Sequence, residues 1–173
     1  MGLGACSDPV YALLLYLPAM AANGAPVVLK RMERRLHPID FNLRLWDGRP
    51  LFGRGKTWEG LLVGLAAGGI VGVIIYILTG CAKPEVLALY VPLGALLGDI
   101  AGSFLKRRIG LERGAPLPIL DQLDFYIGAN IAAYASGALP APEWILVYAL
   151  VIYGLHRATN FAAYKLGLKD VPW

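Results

Sequence analysis

Long stretches without any charged residue are the feature of this sequence that most restricts its fold. Residues 9–29 and 60–82 carry no charge, and residues 86–105 carry only Asp99. Two more apolar segments follow, and each segment reaches the length of about 20 residues that a helix needs to cross a bilayer. The sequence therefore predicts an all-α integral membrane protein with five transmembrane helices, near residues 9–29, 57–79, 86–105, 117–137 and 143–165.

The composition argues against a separate soluble domain. Of the 173 residues, 57% are hydrophobic and 16% are charged, which is too apolar for an ordinary soluble domain of this size. We therefore expect residues 1–173 to form a single transmembrane domain. Its cytoplasmic loops, predicted at 30–56 and 106–116, would form a polar site.

Basic residues predict the orientation, because cytoplasmic loops of membrane proteins are enriched in Lys and Arg. With five alternating spans, fifteen of the sixteen Lys and Arg residues fall on one side, and Lys83 alone falls on the other. We expect the N-terminus outside and the C-terminus in the cytoplasm. The excess of positive charge then requires no nucleic acid partner. If Arg49 only sets this topology, its replacement by alanine is expected to have little effect.

Charged residues concentrate between Gly98 and Phe125, beside these apolar spans. Asp99 lies well inside the third predicted helix, and Ser103 and Lys106 follow at spacings that place all three on one helical face. An ionised carboxylate within a span costs about 2.5–3.5 kcal/mol on insertion scales, so it normally faces a cavity and has a partner. A purely internal ion pair with Lys106 or an arginine is the structural alternative to a catalytic role for Asp99.

Two carboxylates open the fourth predicted helix. Asp121 and Asp124 stand three positions apart and share one face, although acids in a first turn can simply complement the helix dipole. A third acid on the neighbouring helix and a basic cluster nearby favour a magnesium–nucleotide site, because oxygen ligands are offered without Cys or a His cluster. We expect Mg²⁺ to be held by Asp99, Asp121 and Asp124. The phosphate-binding cations would be Lys106, Arg107, Arg108 and Arg113.

Other polar residues are expected near this site. Lys56 and Thr57 follow two glycines at the start of the second helix, where backbone N–H groups can approach an anion. Their spacing does not match a P-loop, and a basic anchor that only sets topology is the alternative. Asn23, near proline and glycine breakers in the first helix, and His156 and Asn160, one turn apart in the fifth, are further candidates for substrate contacts. Packing between helices is the alternative for these three.

Two motifs carry a resemblance to a known family. Residues Ser103–Arg107 read S-x-x-K-R and Asp121–Asp124 read D-x-x-D, which resembles the signature of the phosphatidate cytidylyltransferases of membrane lipid synthesis. Along essentially its whole length the chain is similar to the short archaeal branch of that superfamily, the CDP-archaeol synthases. Glu112-Arg113 stands where the bacterial and eukaryotic enzymes have a Lys-Asp pair, and Gln122 replaces an Arg. These departures favour the archaeal branch.

The resemblance implies a magnesium-dependent nucleotidyltransferase that transfers CMP from CTP to 2,3-bis-(O-geranylgeranyl)-glycerol phosphate, an isoprenoid ether-lipid phosphate, with release of pyrophosphate. It implies a multi-pass protein of the cell membrane, among membrane lipids, with its site facing the cytoplasm. The expected catalytic residues are Asp99, Asp121, Asp124 and Lys106. The expected substrate-binding residues are Asn23, Lys56, Thr57, Ser103, Arg107, Arg108, Arg113, His156 and Asn160.

Two other functions are considered alongside the cytidylyltransferase. A small cation or metabolite transporter would use the same acids, but the sequence shows no inverted repeat. A CDP-alcohol phosphotransferase would show D-G-x-x-A-R, which is missing here. The sequence leaves open the number of metal ions, the cytosine contacts, the lipid-tail selectivity and the oligomeric state. Cys6 and Cys81 fall on the same predicted outer side, and we expect unpaired thiols rather than a disulfide.

Overall fold

The described part of the chain contains five α-helices, two shorter helical segments and one long ordered loop. The computed structural model describes residues 8–168 and 170–172, and it describes the backbone alone for residues 30–34. The helices, labelled α1 to α5 in chain order, are Asp8–Gly24, Trp58–Thr79, Val91–Arg108, Leu120–Ala135 and Pro142–Lys165. A 3₁₀ helix, Ala25–Arg35, continues α1, and a π-helical turn, Val86–Tyr90, leads into α3. No β-strand occurs in the described ranges, which confirms the all-α prediction.

Among the described residues, four helical segments are long and apolar enough to cross a membrane: Asp8–Leu29, Trp58–Thr79, Val86–Arg108 and Pro142–Lys165. The helix expected at 117–137 is shorter, because α4 has 16 residues. At 1.5 Å per residue it is about 24 Å long, whereas a bilayer core is about 30 Å thick. Ile119, with a φ of 73°, precedes its first turn, and Gly137, with a φ of 68°, follows its end.

Helix α3 continues further than the sequence predicted. Lys106, Arg107 and Arg108, expected at the start of a loop over 106–116, form its last turn. Basic side chains are favourable there because they face the negative end of the helix dipole. The helix ends at Arg108, and Gly110 follows two residues later with a φ of 84°, which suits glycine. The N–H of Leu111 then donates to the Lys106 carbonyl at 3.0 Å.

Helices α3 and α4 touch through their backbones. A Cβ atom added at Gly98 would lie 2.2 Å from the Asp124 carbonyl oxygen, and one added at Gly128 would lie 2.1 Å from the Gly94 carbonyl oxygen. Only glycine allows such an approach. The close contact brings Asp99 and Asp124, from neighbouring helices, to the wall of the same cavity.

Tyr16 joins three helices in the core. Its side chain is buried, and its ring centroid lies 4.6 Å from that of Tyr126 on α4 and 5.7 Å from that of Tyr148 on α5. Its hydroxyl donates to Oδ1 of Asn130 at 2.8 Å. Aromatic pairs at these separations stabilise packing by about 0.5–1.5 kcal/mol beyond burial. Tyr16 therefore fixes α1 against α4 and α5.

Residues 36–57, called the first loop below, form an ordered hairpin-like turn. Its ends are tied where the N–H of Ile39 donates to the Lys56 carbonyl at 2.9 Å and the N–H of Trp58 donates to the His37 carbonyl at 3.0 Å. The turn-rich composition predicted a loop here, and the structure adds its fixed shape.

The expectation that Cys6 and Cys81 are unpaired thiols is wrong for Cys81. Cys81 is buried and disulfide-bonded, so it is not the free thiol that we expected. Cys6, the other cysteine of the sequence, lies outside the described residues.

Candidate active site

A cavity of about 440 Å³ lies where the end of α1, the first loop and helices α3, α4 and α5 converge. Most residues that the sequence predicted for the site line this cavity, although they come from distant parts of the chain. They are Asn23, Lys56, Thr57, Asp99, Ser103, Lys106, Arg113, Asp121, Asp124, His156 and Asn160. Arg107 and Arg108, also predicted as substrate-binding residues, do not line it.

Lys56 and Asp99 form the first of two Lys–Asp ion pairs that the described residues place in the cavity. The Lys56 ammonium donates to Oδ2 of Asp99, and the two side chains are 22% and 29% exposed. Lys56 reaches α3 because the end of the first loop is tied to Ile39 and to the start of α2. The structure thus gives Asp99 its partner, and that partner is the first-loop lysine rather than Lys106.

Lys106 and Asp121 form the second ion pair. Nζ of Lys106 lies 2.9 Å from Oδ1 and 3.0 Å from Oδ2 of Asp121. The Asp121 carboxylate also accepts the N–H of Leu117 at 2.9 Å, which fixes the turn before α4. Both side chains are less than one fifth exposed. Asp99 and Asp121 therefore each have a lysine ammonium group as a direct partner.

Asp124 is the most enclosed of the three acids. Its residue is 8% exposed, and Oδ1 accepts the N–H of Phe125 at 2.6 Å. Its side chain lies against Gly102 on α3, where an added Cβ would lie 2.2 Å from Oδ2. The glycine therefore makes the space that the carboxylate occupies.

The turn into α4 contains a feature that sequence analysis missed. Ile119 has a φ of 73°, which is strained for a β-branched residue. Its N–H donates to Oε1 of Gln122 at 2.8 Å, and Gln122 is 1% exposed. The Gln122 carbonyl oxygen lies 3.3 Å from Nδ1 of His156 on α5. Gln122, noted in the sequence only as a departure from a motif, thus holds the entry of α4 that carries Asp121.

Thr57 has a structural task at the edge of the cavity. Its hydroxyl accepts the N–H of Gly60 at 3.1 Å and caps the start of α2. Because the hydroxyl hydrogen remains free to donate, this cap leaves the group able to contact an anion. The two roles are compatible.

Asp40 organises the first loop from within. It is 2% exposed, and its carboxylate accepts backbone N–H groups of Asn42 at 3.0 Å, Phe52 at 3.0 Å and Gly53 at 2.9 Å. Burial raises the pKa of Asp40, but these three donors outweigh it and hold the pKa below its ordinary value of 3.8. The sequence left its part undecided, and an acid among turn residues was the available signal.

A family model described as CarS-like, CDP-archaeol synthase, matches residues 9–173. The chain belongs to this family. The CDP-archaeol synthase of Hyperthermus butylicus is 48% identical over 165 residues, which cover 95% of this chain and 96% of the relative. That of Aeropyrum pernix is 50% identical over 162 residues, which cover 94% and 91%.

A solved structure supports the same assignment. It is described as an intramembrane enzyme for archaeal membrane lipids biosynthesis, and it matches with a TM-score of 0.77 and 47% identity over 86% of this chain and 92% of that one. Together with the apolar helices, this likeness identifies a multi-pass membrane protein. The predicted resemblance to CDP-archaeol synthases is confirmed, and neither the transporter nor the phosphotransferase is favoured.

The donor groups of the cavity suit the magnesium ion that the resemblance implies. Within the described ranges, no three His, Cys, Asp or Glu side chains are grouped closely enough to hold a metal ion. Asp99, Asp121 and Asp124 nevertheless line one cavity. Mg²⁺ usually takes one or two protein carboxylates and completes its shell with water and substrate phosphates. The carboxylates therefore fit a magnesium–nucleotide complex better than a metal held by protein alone.

Proposed function

We propose that this chain transfers CMP from CTP to the phosphate of 2,3-bis-(O-geranylgeranyl)-glycerol phosphate, giving CDP-archaeol and pyrophosphate. The observation that carries the proposal is the placement of two Lys–Asp pairs and a third carboxylate in one cavity, in a chain that matches the CDP-archaeol synthase family over residues 9–173. Charged side chains inside an apolar helical protein are rare, and those that face a cavity usually mark a site for a substrate or an ion.

The reaction requires charge neutralisation more than proton transfer. An oxygen of the lipid phosphate attacks the α-phosphorus of CTP, a new P–O bond forms, and the bond to the β-phosphate breaks as pyrophosphate leaves. The nucleophile is already an anion, so no general base is needed. The barrier arises largely from bringing two anions together, which positioned cations and in-line alignment reduce.

Lys56 and Lys106 are the groups best placed to receive the phosphates. Each lysine side chain is less than one quarter exposed, and its ammonium group is held by a carboxylate in the cavity wall. Arg113 lines the same cavity and contributes a third cation. In such a partly enclosed site each charge acts more strongly than in water. Ser103 and Thr57 supply hydroxyl donors, and Asn23, His156 and Asn160 line the same cavity as further candidates for substrate contacts.

Asp99, Asp121 and Asp124 are the residues whose carboxylates would hold Mg²⁺ in this proposal, one or two at a time, with water and substrate phosphates as the other ligands. The bound ion would supply positive charge to the triphosphate. As a phosphate draws Lys56 or Lys106 towards itself, the paired carboxylate is released from its ammonium partner. The two ion pairs thus keep both signs of charge balanced before substrate arrives.

The same proposal covers topology and location. All five helices would be embedded in the membrane, with the N-terminus outside and the cavity open to the cytoplasm, where CTP is available. The short α4 would pack against its neighbours on one side and expose Ile127, Ile131 and Tyr134 to lipid on the other, and the lipid tails would stay in the bilayer. The strong bias of basic residues to one side supports this orientation.

The test uses the purified full-length protein in detergent with Mg²⁺, the ether-lipid phosphate and CTP labelled in either the α- or the γ-phosphate. Transfer of CMP predicts that α-label enters the organic phase and γ-label stays in water. An ester phosphatidic acid serves as the competing acceptor. Label that remains in water with both acceptors, despite folded protein, would refute the proposal.

Two substitutions test the acids. Asp121→Asn and Asp124→Asn are expected to lower turnover by at least about 100-fold while the protein remains folded. Glu85→Gln is the matched control, because Glu85 lies exposed at the opposite end of α3. Full activity in either aspartate variant would remove that residue from the site.

A further inference from the structure

The first loop is attached to the end of α3 by a set of contacts that lie outside the cavity. Nη1 of Arg108 donates to both carboxylate oxygens of Asp47 at 2.7 Å. Nη2 of the same guanidinium donates to the Pro50 carbonyl. In return, Nη1 of Arg49 donates to the Arg108 carbonyl at the last turn of α3. Loop and helix therefore exchange hydrogen bonds in both directions.

Aromatic contacts reinforce the attachment. The Arg108 guanidinium lies 5.3 Å from the centroid of the Phe104 ring, one turn earlier on α3. Phe52 of the loop meets Phe104 edge to face, with centroids 6.4 Å apart. Arg107 packs beside the loop at Gly53, where an added Cβ would lie 3.8 Å from Nη1. The Arg108 side chain is 17% exposed and the Asp47 side chain is 26% exposed, so this is a partly buried pair.

The attached segment leads directly into the cavity. Phe52 and Gly53 are held by the Asp40 carboxylate from inside the loop, and Lys56 follows three residues after Gly53. Lys56 then pairs with Asp99 on the same helix, α3, that Arg108 terminates. The loop is thus fixed to α3 at two points, one outside the cavity and one within it.

We propose that Asp47, Arg49 and Arg108 form a clamp that positions Lys56 in the cavity, and that Arg108 acts through this clamp rather than as a phosphate ligand. Arg108 does not line the cavity, and its Nη1 and Nη2 donors face Asp47 and backbone carbonyls. Arg49 thereby has a role beyond topology. The effect of the clamp on catalysis rests on the proposed function, whereas its effect on the loop does not.

The substitution that separates the two roles is Asp47→Ala. If Arg108 binds phosphate, removal of its carboxylate partner frees the cation and leaves CTP affinity unchanged or improved. If Arg108 is a clamp, Asp47→Ala and Arg108→Ala have the same effect. Each is expected to weaken CTP binding or kcat/KM for CTP by about 10- to 100-fold, because small displacements of a positioning group are costly. The double alanine variant should be no worse than either single variant.

The experiment measures hydrogen exchange of residues 36–57, equilibrium binding of CTP with Mg²⁺, and steady-state turnover on the full-length protein in detergent. The exchanged pair, D47R with R108D, is expected to recover part of the lost affinity. Arg157→Ala and Glu85→Ala, two exposed charges outside the clamp, are the matched controls. Clamp variants should exchange faster in the loop, and control variants should not.

Three results would overturn the proposal. One is an Asp47→Ala variant with unchanged or tighter CTP binding, and another is a loop that exchanges no faster in Arg108→Ala. The third is faster exchange with unaltered CTP affinity and turnover, which would show attachment without positioning. Absence of CMP transfer by the unmodified protein would count against the proposed function alone, since loop exchange and CTP binding still report on the clamp.

Discussion

Gly102→Ala is expected to inactivate the protein by displacing one carboxylate. The added Cβ would lie 2.2 Å from Oδ2 of Asp124, 2.9 Å from its Cβ and 3.0 Å from its Cγ. Ordinary contact begins at 3.4 Å, so Oδ2 must move by more than about 1 Å before repulsion is relieved. Asp124 is buried, which leaves its short side chain little space to turn.

The expected loss is large in activity and moderate in stability. A displacement of about 1 Å in a reacting group can reduce the rate by about 100-fold. Overpacking of a core by one methyl group costs about 1–3 kcal/mol in the free energy of unfolding. Gly102→Ala is therefore expected to lower turnover by much more than it lowers the amount of folded protein.

Two other glycines supply matched controls. A Cβ at Gly72 would lie 2.2 Å from the Leu87 carbonyl oxygen, a clash as severe but remote from the cavity. A Cβ at Gly154 meets nothing within 4 Å, so Gly154→Ala is expected to be neutral or stabilising by up to about 1 kcal/mol. Gly72→Ala should lose stability and keep its turnover per folded molecule.

The assay is transfer of α-label from CTP to lipid, normalised to folded protein by size-exclusion chromatography and thermal unfolding in one detergent. Normal turnover per folded molecule in Gly102→Ala would refute the assignment of Asp124. Equal activity losses in Gly102→Ala and Gly72→Ala would show that general packing, rather than carboxylate position, governs activity.

Three other outcomes are expected. Lys106→Met should raise the Kd for CTP by about 10- to 100-fold in equilibrium dialysis, because it removes a charge-assisted contact; an unchanged Kd would exclude Lys106 from phosphate binding. Asp40→Asn should lower the thermal stability of the first loop. Because the pKa of Asp40 is depressed in the folded protein, its carboxylate contributes its full stabilisation above pH 3.8, and this contribution is lost as the pH falls below that value. The difference in stability between Asp40→Asn and the unmodified protein should therefore become smaller in acid. Ile119→Gly should gain about 1 kcal/mol in unfolding free energy by relieving a positive φ, and a loss would contradict the strain.

Local spacing predicted much of the site. Asp99, Ser103 and Lys106 share a helical face, and Asp121 and Asp124 share another, because a helix places residues three, four and seven apart on one side. In the structure all five line one cavity. Apolar length predicted five helices, and the structure contains a helix near each expected segment.

Long-range partners could not be predicted in this way. Lys56 and Asp99 are 43 positions apart, and Arg108 and Asp47 are 61 apart. Helical periodicity indicates which residues share a face, but it does not indicate which loop folds over that face. The sequence contains many arginines, and nothing in their spacing distinguishes a clamp from a phosphate ligand. The length of α4 was missed for a related reason, because a single strained φ at Ile119 sets where it begins.

Two adjacent faces of α3 explain how so short a chain accommodates both a scaffold and a site. Gly98 and Gly102, four positions apart, allow α4 to approach until backbone and carboxylate atoms fill the space of their missing side chains. Asp99 and Ser103, each one position later, turn about 100° around the helix and face the cavity. The packing face and the reactive face are therefore fixed by the same four-residue step. A change in either face must be transmitted to the other, because Asp124 belongs to α4 and yet occupies the space left by Gly102.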